Sequence, residues 1–137
     1  MKSDISIHRR LAGAAFLACA ASLLALPATA ENLDAKAARN LISGHMWAIT
    51  SSISSSPHHW TWNADGTVCT RIYEKTGPCV DTGTWRLEGE RMCYQLTWWG
   101  SDSGFQFGCY RITDLGKARY GALQDNGLTF FEFTVVK

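Results

Sequence analysis

The chain has 137 residues, of which 46% are hydrophobic and 12% aromatic, and its formal net charge is +1. A charge so close to zero provides no basic surplus, so we do not expect nucleic acid or an anionic membrane as a partner. After the first 30 residues, no stretch approaches the roughly 20 consecutive apolar residues that a membrane-spanning helix requires.

Residues 1–30 have the pattern of a secretory signal peptide. A basic start precedes an apolar run over residues 11–26, and Ala28-Thr29-Ala30 matches a small-residue cleavage site. We therefore expect cleavage after Ala30, a single domain over residues 31–137, and a periplasmic or secreted location.

The remaining sequence predicts one short helix followed by eight strands. The helix is predicted over Glu31–Ser43, with Gly44 at its end. Beyond it, runs rich in aromatic and β-branched residues alternate with glycine-containing turns, which is typical of an antiparallel meander. The predicted strands are His45–Ile53, His58–Trp62, Thr67–Tyr73, Val80–Leu87, Met92–Trp98, Phe105–Ile112, Arg119–Leu123 and Leu128–Val136.

The predicted connections between the strands are short. Asp114-Leu115-Gly116 is one predicted turn, and Asp125-Asn126-Gly127 has the strongest hairpin signal of the set. Eight short antiparallel strands with tight links indicate an all-β fold, an eight-stranded up-and-down barrel, because closure leaves no edge strand. A β-sandwich of the same strands is the alternative.

The alternation of residues within strands predicts which side chains face the interior. Met92, Tyr94, Leu96 and Trp98 form one alternating set and are expected to point inward. The orientation of Trp85 stays open, because it depends on whether the turn at residues 88–89 contains a bulge.

Four cysteines follow the signal peptide and are expected to form two disulfides. A chain reversal near residues 73–76 places Cys69 opposite Cys79, and the Gly100–Gly104 loop places Cys93 opposite Cys109. Cross-strand neighbours are close enough for a disulfide. A redox or metal site is disfavoured, because no Cys-x-x-Cys spacing is present.

His58 and His59 are the candidate catalytic or metal-binding pair. Adjacent strand residues point to opposite faces, so the two imidazoles are not expected to converge on one ion, and we interpret them as a surface pair. Asp81 lies within a strand run, where pairing with an arginine is the simplest expectation. No catalytic motif is present, and no catalytic residue, metal or cofactor is predicted.

The aromatic residues are the strongest functional signal, because they exceed what a plain core of this size needs. An eight-stranded barrel is wide enough to be filled by side chains or to hold one small ligand. The predicted ligand-binding residues are Trp85, Trp98, Trp99, Asp102 and Phe105.

Four short motifs resemble those of lipocalin-like small secreted proteins of proteobacteria. They are Gly44-His45-Met46-Trp47, Asp65-Gly66-Thr67, Gly83-Thr84-Trp85 and Cys93 with Cys109-Tyr110. The Gly-x-x-Trp element is similar to the first-strand motif of lipocalins, in which the tryptophan closes the base of the barrel. The resemblance implies a binding barrel, although this chain is shorter and has no predicted helix after the barrel.

These patterns favour an exported, non-enzymatic binding protein for a small apolar or aromatic ligand or for a secreted partner protein. One alternative is an inhibitor of a secreted hydrolase that acts through the Gly100–Gly104 loop, since a disulfide-bracketed hairpin loses little entropy on binding. A second alternative is a small hydrolase or metal-dependent enzyme that uses His58 and His59.

Overall fold

The computed structural model describes residues 30–51 and 56–137, and the predicted signal peptide lies outside them except for Ala30. None of the helices in these ranges is long and apolar enough to cross a membrane. The elements are β1 (Glu31–Asn32), α1 (Ala35–Ile42), β2 (His45–Thr50), β3 (His58–Trp62), β4 (Thr67–Ile72), β5 (Asp81–Glu88), β6 (Arg91–Leu96), β7 (Phe107–Gly116), β8 (Arg119–Leu123) and β9 (Thr129–Val136).

Strands β2 to β9 form a closed antiparallel barrel. Each strand pairs with the next along the chain, and β2 also pairs with β9, with Met46 opposite Val136. This ring of pairings confirms the predicted eight-stranded barrel with one short helix and excludes the sandwich. Strand β1 is an addition to it, because Glu31 pairs with Asp114 on β7.

The N-terminal helix is shorter than predicted. It begins at Ala35, because the side chain of Asp34 accepts a hydrogen bond from the Ala37 N–H (2.7 Å) and caps the helix. Residues 31–32, which were predicted to be helical, are instead extended in β1. Strand β2 ends at Thr50, and most of the predicted extension to Ile53 lies outside the described residues.

Helix α1 packs at the end of the barrel where β2 begins. Ala38 and Ile42 are fully buried on the helix face that meets the core. The indole N–H of Trp47 donates to the Leu41 carbonyl (3.2 Å), and the Trp47 ring stacks on Phe133 with 3.6 Å between ring centroids. The helix and Trp47 therefore close this end of the barrel.

The predicted turn at Asp114-Leu115-Gly116 is wrong, because β7 continues through it. The pairing with β8 shifts register between Asp114 and Gly116, so Leu115 is the extra residue of a bulge. The chain reverses at Lys117 and Ala118, with φ of 54° and 57°. Positive φ at both central residues is the conformation of a type I′ turn, one of the two common two-residue hairpin turns.

The turn after β5 determines the orientation of Trp85. Glu88 pairs with Arg91, so the turn has two residues and no bulge. Trp85 consequently lies opposite Tyr94 and on the same face, and both side chains are buried in the interior.

The interior is occupied by closely packed aromatic rings. Trp60 is fully buried, and its ring centroid lies 5.0 Å from that of Tyr94 and 5.5 Å from that of Trp62. Such edge-to-face and tilted arrangements are favourable for aromatic pairs. The buried rings that fill the barrel are Trp47, Trp60, Trp62, Trp85, Tyr94, Tyr110, Phe105, Phe131 and Phe133.

Both predicted disulfides are present, but only one of them has the predicted register. Cys93 and Cys109 are directly opposite each other, with a Cα–Cα distance of 4.0 Å. Cys69 is opposite Thr82, and it reaches Cys79 in the link before β5 across a Cα–Cα distance of 5.4 Å. The register prediction was wrong here because the β4–β5 link is longer than a simple hairpin turn. Disulfides are typical of proteins from oxidising compartments.

Candidate functional site

A groove of about 450 Å³ lies at the end of the barrel opposite α1. The link between β6 and β7, residues 97–106, forms most of its wall, and the start of β3 completes it. Four of the five predicted ligand-binding residues line it, whereas Trp85 lies in the interior and donates its indole N–H to the Asn63 carbonyl (2.8 Å). The lining residues are His58, Trp98, Trp99, Gly100, Ser101, Asp102, Ser103 and Phe105.

The carboxylate of Asp81 holds the groove wall to the barrel. One of its oxygens accepts hydrogen bonds from the backbone N–H groups of Trp98 and Trp99, both at 2.8 Å, and the other accepts from the Thr82 N–H (2.8 Å). Asp81 is the first residue of β5 and is buried. The expected arginine pairing is therefore wrong, because backbone N–H groups take its place.

The hydrogen bonds outweigh burial in setting the charge of this carboxylate. Burial raises the pKa of Asp81. The hydrogen bonds from the N–H groups of Trp98, Trp99 and Thr82 and from the Thr97 hydroxyl lower it by more than burial raises it, so the pKa lies below the ordinary 3.8. Asp81 is consequently ionised at neutral pH, which is the form that accepts these bonds.

The link is compact because its chain folds back on the Gly100 carbonyl. That oxygen accepts hydrogen bonds from the N–H groups of Ser103 (3.3 Å), Phe105 (3.0 Å) and Gln106 (3.2 Å). Gly100 has a φ of +80°, and a Cβ at this position would collide with the Cβ of Phe105. The position therefore requires glycine.

Trp98 and Trp99 have the opposite orientations to those that alternation predicts. Trp98 is 57% exposed, whereas Trp99 packs edge-on against His58 with 4.8 Å between ring centroids. Strand β6 ends at Leu96, so the alternation of faces does not extend to these residues. Phe105, which is 1% exposed, packs against Trp99 with 5.9 Å between ring centroids. The groove thus combines one exposed indole with a buried aromatic floor.

The two histidines are buried, so their interpretation as a surface pair is wrong. They belong to opposite faces of β3, as expected, and His58 faces the groove. Burial lowers the pKa of His58, and the neighbouring His59 adds to the effect. The pKa of His59 is also lowered, mainly by burial and to a lesser extent by the positive charge of Lys75. A hydrogen bond with the Glu74 backbone raises this pKa but does not reverse the direction. Both imidazoles are therefore neutral at pH 7.

The serine hydroxyls of the groove bond within the link. Ser101 donates to Asp102 Oδ1 (3.0 Å), and Ser103 donates to the Gly100 carbonyl (3.4 Å). These bonds shape the link, and the hydroxyls and the Asp102 carboxylate add polar contacts to an otherwise aromatic surface. Such a combination suits the orientation of a bound ligand.

The cysteines do not provide thiolate ligands. A carboxylate oxygen of Glu88 lies within 4.8 Å of the sulfur atoms of Cys93 and Cys109. Those sulfurs are bonded to each other, and a metal ion binds the free thiolate. The pair therefore has a structural role, joining β6 to β7.

Replacement of Asp81 by alanine is expected to lower the free energy of unfolding by about 2 kcal/mol, because it removes the acceptor of charge-assisted hydrogen bonds. The amides of Trp98 and Trp99 should exchange faster with solvent, which hydrogen exchange measures directly. Asp81→Asn, which retains an acceptor oxygen, should lose less stability. Unchanged exchange of both amides in Asp81→Ala would contradict this role.

The depressed pKa of Asp81 determines how this contribution depends on pH. A carboxyl group whose pKa is lower in the folded state stabilises the fold above its unfolded pKa. The contribution of Asp81 is therefore complete at neutral pH and is lost as the pH falls below 3.8 through the folded-state pKa.

Comparisons of the chain with models of protein families, with curated proteins and with solved structures find no match. A function for the groove is therefore proposed below from the residues that line it.

Proposed function

We propose that the protein is an exported, non-enzymatic binding protein that holds a small ligand in the groove between the β6–β7 link and the start of β3. The exposed face of Trp98 carries this proposal. A large aromatic side chain that is 57% exposed loses much of the stabilisation that burial would provide. Here that side chain lines a groove of about 450 Å³. That volume falls within the range of about 300–1,000 Å³ that is usual for small-molecule sites.

The rigidity of the wall supports a binding role. The N–H groups of Trp98 and Trp99 are bonded to Asp81, and the Cys93–Cys109 disulfide joins the two strands from which the link emerges. A wall that is already ordered loses little conformational entropy when a ligand binds.

The groove is a better ligand site than the barrel interior. The interior is occupied by fully buried rings such as Trp60, Trp62 and Phe131, so a ligand could enter it only by displacing side chains of the core. A ligand at the mouth would instead contact Trp98 on one side and the serine and aspartate side chains on the other.

Export is proposed from the pattern of residues 1–30 and is supported by the two disulfides. The resemblance to lipocalin-like secreted proteins is consistent with a binding barrel, although the proposed site is the mouth of the barrel.

The Trp98→Ala variant tests this function. A library of small aromatic, saccharide and amine fragments is screened by the shifts of the tryptophan indole N–H resonances in NMR spectra. Fragments that bind the wild type are expected to bind Trp98→Ala about tenfold more weakly, because stacking on one aromatic ring is worth about 1–2 kcal/mol. The stability of the variant should change by less than about 0.5 kcal/mol, since the indole is exposed.

Phe107→Ala is the matched control, because Phe107 is 71% exposed on the outer face of β7 and does not line the groove. It should leave binding unchanged. If fragments bind Trp98→Ala as they bind the wild type, or if none binds the wild type, the proposed function is wrong.

A second candidate function is binding of a secreted partner protein, including inhibition of a hydrolase, through the same link. The observation that favours it is the exposed Trp98 on a rigid link, since tryptophan is a frequent anchor of protein interfaces. Capture of purified secreted hydrolases by the wild type but not by a Trp99→Ala, Asp102→Ala variant would favour this candidate over a small ligand.

A further inference from the structure

We propose that the groove selects ligands with a positively charged, alkylated ammonium group. The inference rests on the proposed function, because it names the class of ligand that the same site takes. It follows from the charges and the aromatic faces that line the groove.

The charge of the groove lining is negative. Among the described residues that line the groove, Asp102 is the one with a formal charge at pH 7, and none is a lysine or an arginine. The ion pairs among the described residues, namely Arg86 with Glu88, Arg91 with Asp125 and Arg119 with Glu132, do not include Asp102. Its carboxylate is exposed, and the hydroxyl of Ser101 orients it.

Two further features favour a cation over an anion. The carboxylate of Asp81 lies directly behind the backbone of Trp98 and Trp99, so a second negative charge is close to the aromatic wall. His58 adds no positive charge, because its burial beside Trp99 favours the neutral imidazole. An anionic ligand would therefore face negative charges, with no compensating cation among the described lining residues.

The aromatic wall supplies the complementary attraction. The faces of aromatic rings carry a negative potential, and tryptophan binds cations more strongly than phenylalanine or tyrosine does. Trp98 is largely exposed, and Trp99 and Phe105 line the same groove with 5.9 Å between their ring centroids. An ammonium group with methyl substituents is attracted both to the faces of the rings and to the carboxylate. It also loses its hydration water more easily than an ammonium group without methyl substituents.

The test compares choline with its neutral isostere neohexanol, in which carbon replaces the quaternary nitrogen. Both are titrated into the folded protein, and the indole N–H resonances of Trp98 and Trp99 are followed by NMR. Choline is expected to bind about tenfold more tightly than neohexanol, which is the effect of a favourable cation–π contact and one nearby carboxylate.

Asp102→Asn is expected to reduce this preference several-fold while leaving the affinity for neohexanol unchanged. Glu90→Gln is the matched control, because it removes the same charge from an exposed residue in the β5–β6 turn, at the end of the barrel where α1 packs. It should leave the preference for choline intact.

The outcomes separate the inference from the function on which it rests. Equal binding of choline and neohexanol would overturn the selection for cations and leave the groove as a binding site. Absence of choline binding at millimolar concentrations would also overturn it, and the fragment screen with Trp98→Ala would then decide independently whether the groove binds ligands. An equal loss of preference in Asp102→Asn and Glu90→Gln would show a non-specific effect of net charge and would overturn it as well.

Discussion

Replacement of Cys93 and Cys109 by alanine is expected to lower the free energy of unfolding by about 3 kcal/mol, the cost that the chain-entropy model assigns to a loop of this length. The two residues are 16 positions apart and join β6 to β7. Alanine is chosen because Cys93 is buried and a serine hydroxyl would add a separate penalty for an unsatisfied polar group.

The groove should respond to this change, because the link that forms its wall emerges from the same two strands. Without the disulfide, the link is held by the Asp81 hydrogen bonds and by the ladder between β6 and β7. We expect faster hydrogen exchange at Trp98 and Trp99 and weaker binding of any fragment that binds the wild type. Chemical denaturation and hydrogen exchange measure the two effects.

Replacement of Cys69 and Cys79 by alanine is the control. This disulfide closes a loop with a sequence separation of 10, so the chain-entropy model predicts a slightly smaller loss of stability. It joins β4 to the link before β5 and does not bracket the groove wall. If removal of either disulfide changed the exchange of Trp98 and Trp99 equally, the specific role of Cys93–Cys109 would be wrong.

The barrel could be predicted from the sequence because its determinants are local. Alternating runs of aromatic and β-branched residues and glycine-containing turns identify strands one at a time, and their number and spacing favour closure. The Cys93–Cys109 pair was predicted correctly because the positions are symmetric about the Gly100–Gly104 loop. The Cys69–Cys79 pair formed despite a different register, because a disulfide needs proximity of two Cα atoms and not a direct cross-strand position.

The groove was predicted only in part, because its construction depends on contacts between distant residues. The sequence identifies an aromatic link between Trp98 and Phe105 but does not show that Asp81, 17 positions before Trp98, accepts its backbone N–H groups. Because of those bonds the chain no longer follows the strand path after Leu96, and the orientations of Trp98 and Trp99 are therefore reversed. A period-two pattern holds only as long as the strand does.

The burial of His58 also depends on contacts between residues that are distant in the sequence. A histidine at a strand start next to a serine-rich segment is usually exposed, and nothing adjacent to it in the sequence indicates otherwise. It is covered because Trp99 and Phe105, contributed by the β6–β7 link, pack on its ring, with centroid distances of 4.8 and 5.8 Å. A single sequence carries no signal for such a contact, whereas paired substitutions among relatives would reveal it.

Replacement of Trp60 by alanine is expected to lower the free energy of unfolding by about 4 kcal/mol, since truncation of a fully buried tryptophan loses its burial and leaves a cavity. The Trp60 ring contacts Trp62 and Tyr94 in the interior and Trp99 in the groove wall, so it links the core to the site. Small domains have a total stability of about 5–15 kcal/mol, so the variant is expected to be marginally stable. Trp60→Phe, which keeps most of the ring, should lose less and serves as the test if the alanine variant does not fold.

The same substitution tests where ligands bind. In the wild type the interior is filled by rings, so benzene should not bind there. In Trp60→Ala an apolar cavity is created, and benzene should bind there and restore part of the lost stability, as apolar cavities in protein cores do. A loss of less than about 1 kcal/mol in Trp60→Ala would mean that the interior is not closely packed. Stabilisation of the wild type by benzene, unaffected by Trp98→Ala, would place ligand binding inside the barrel and contradict a site at its mouth.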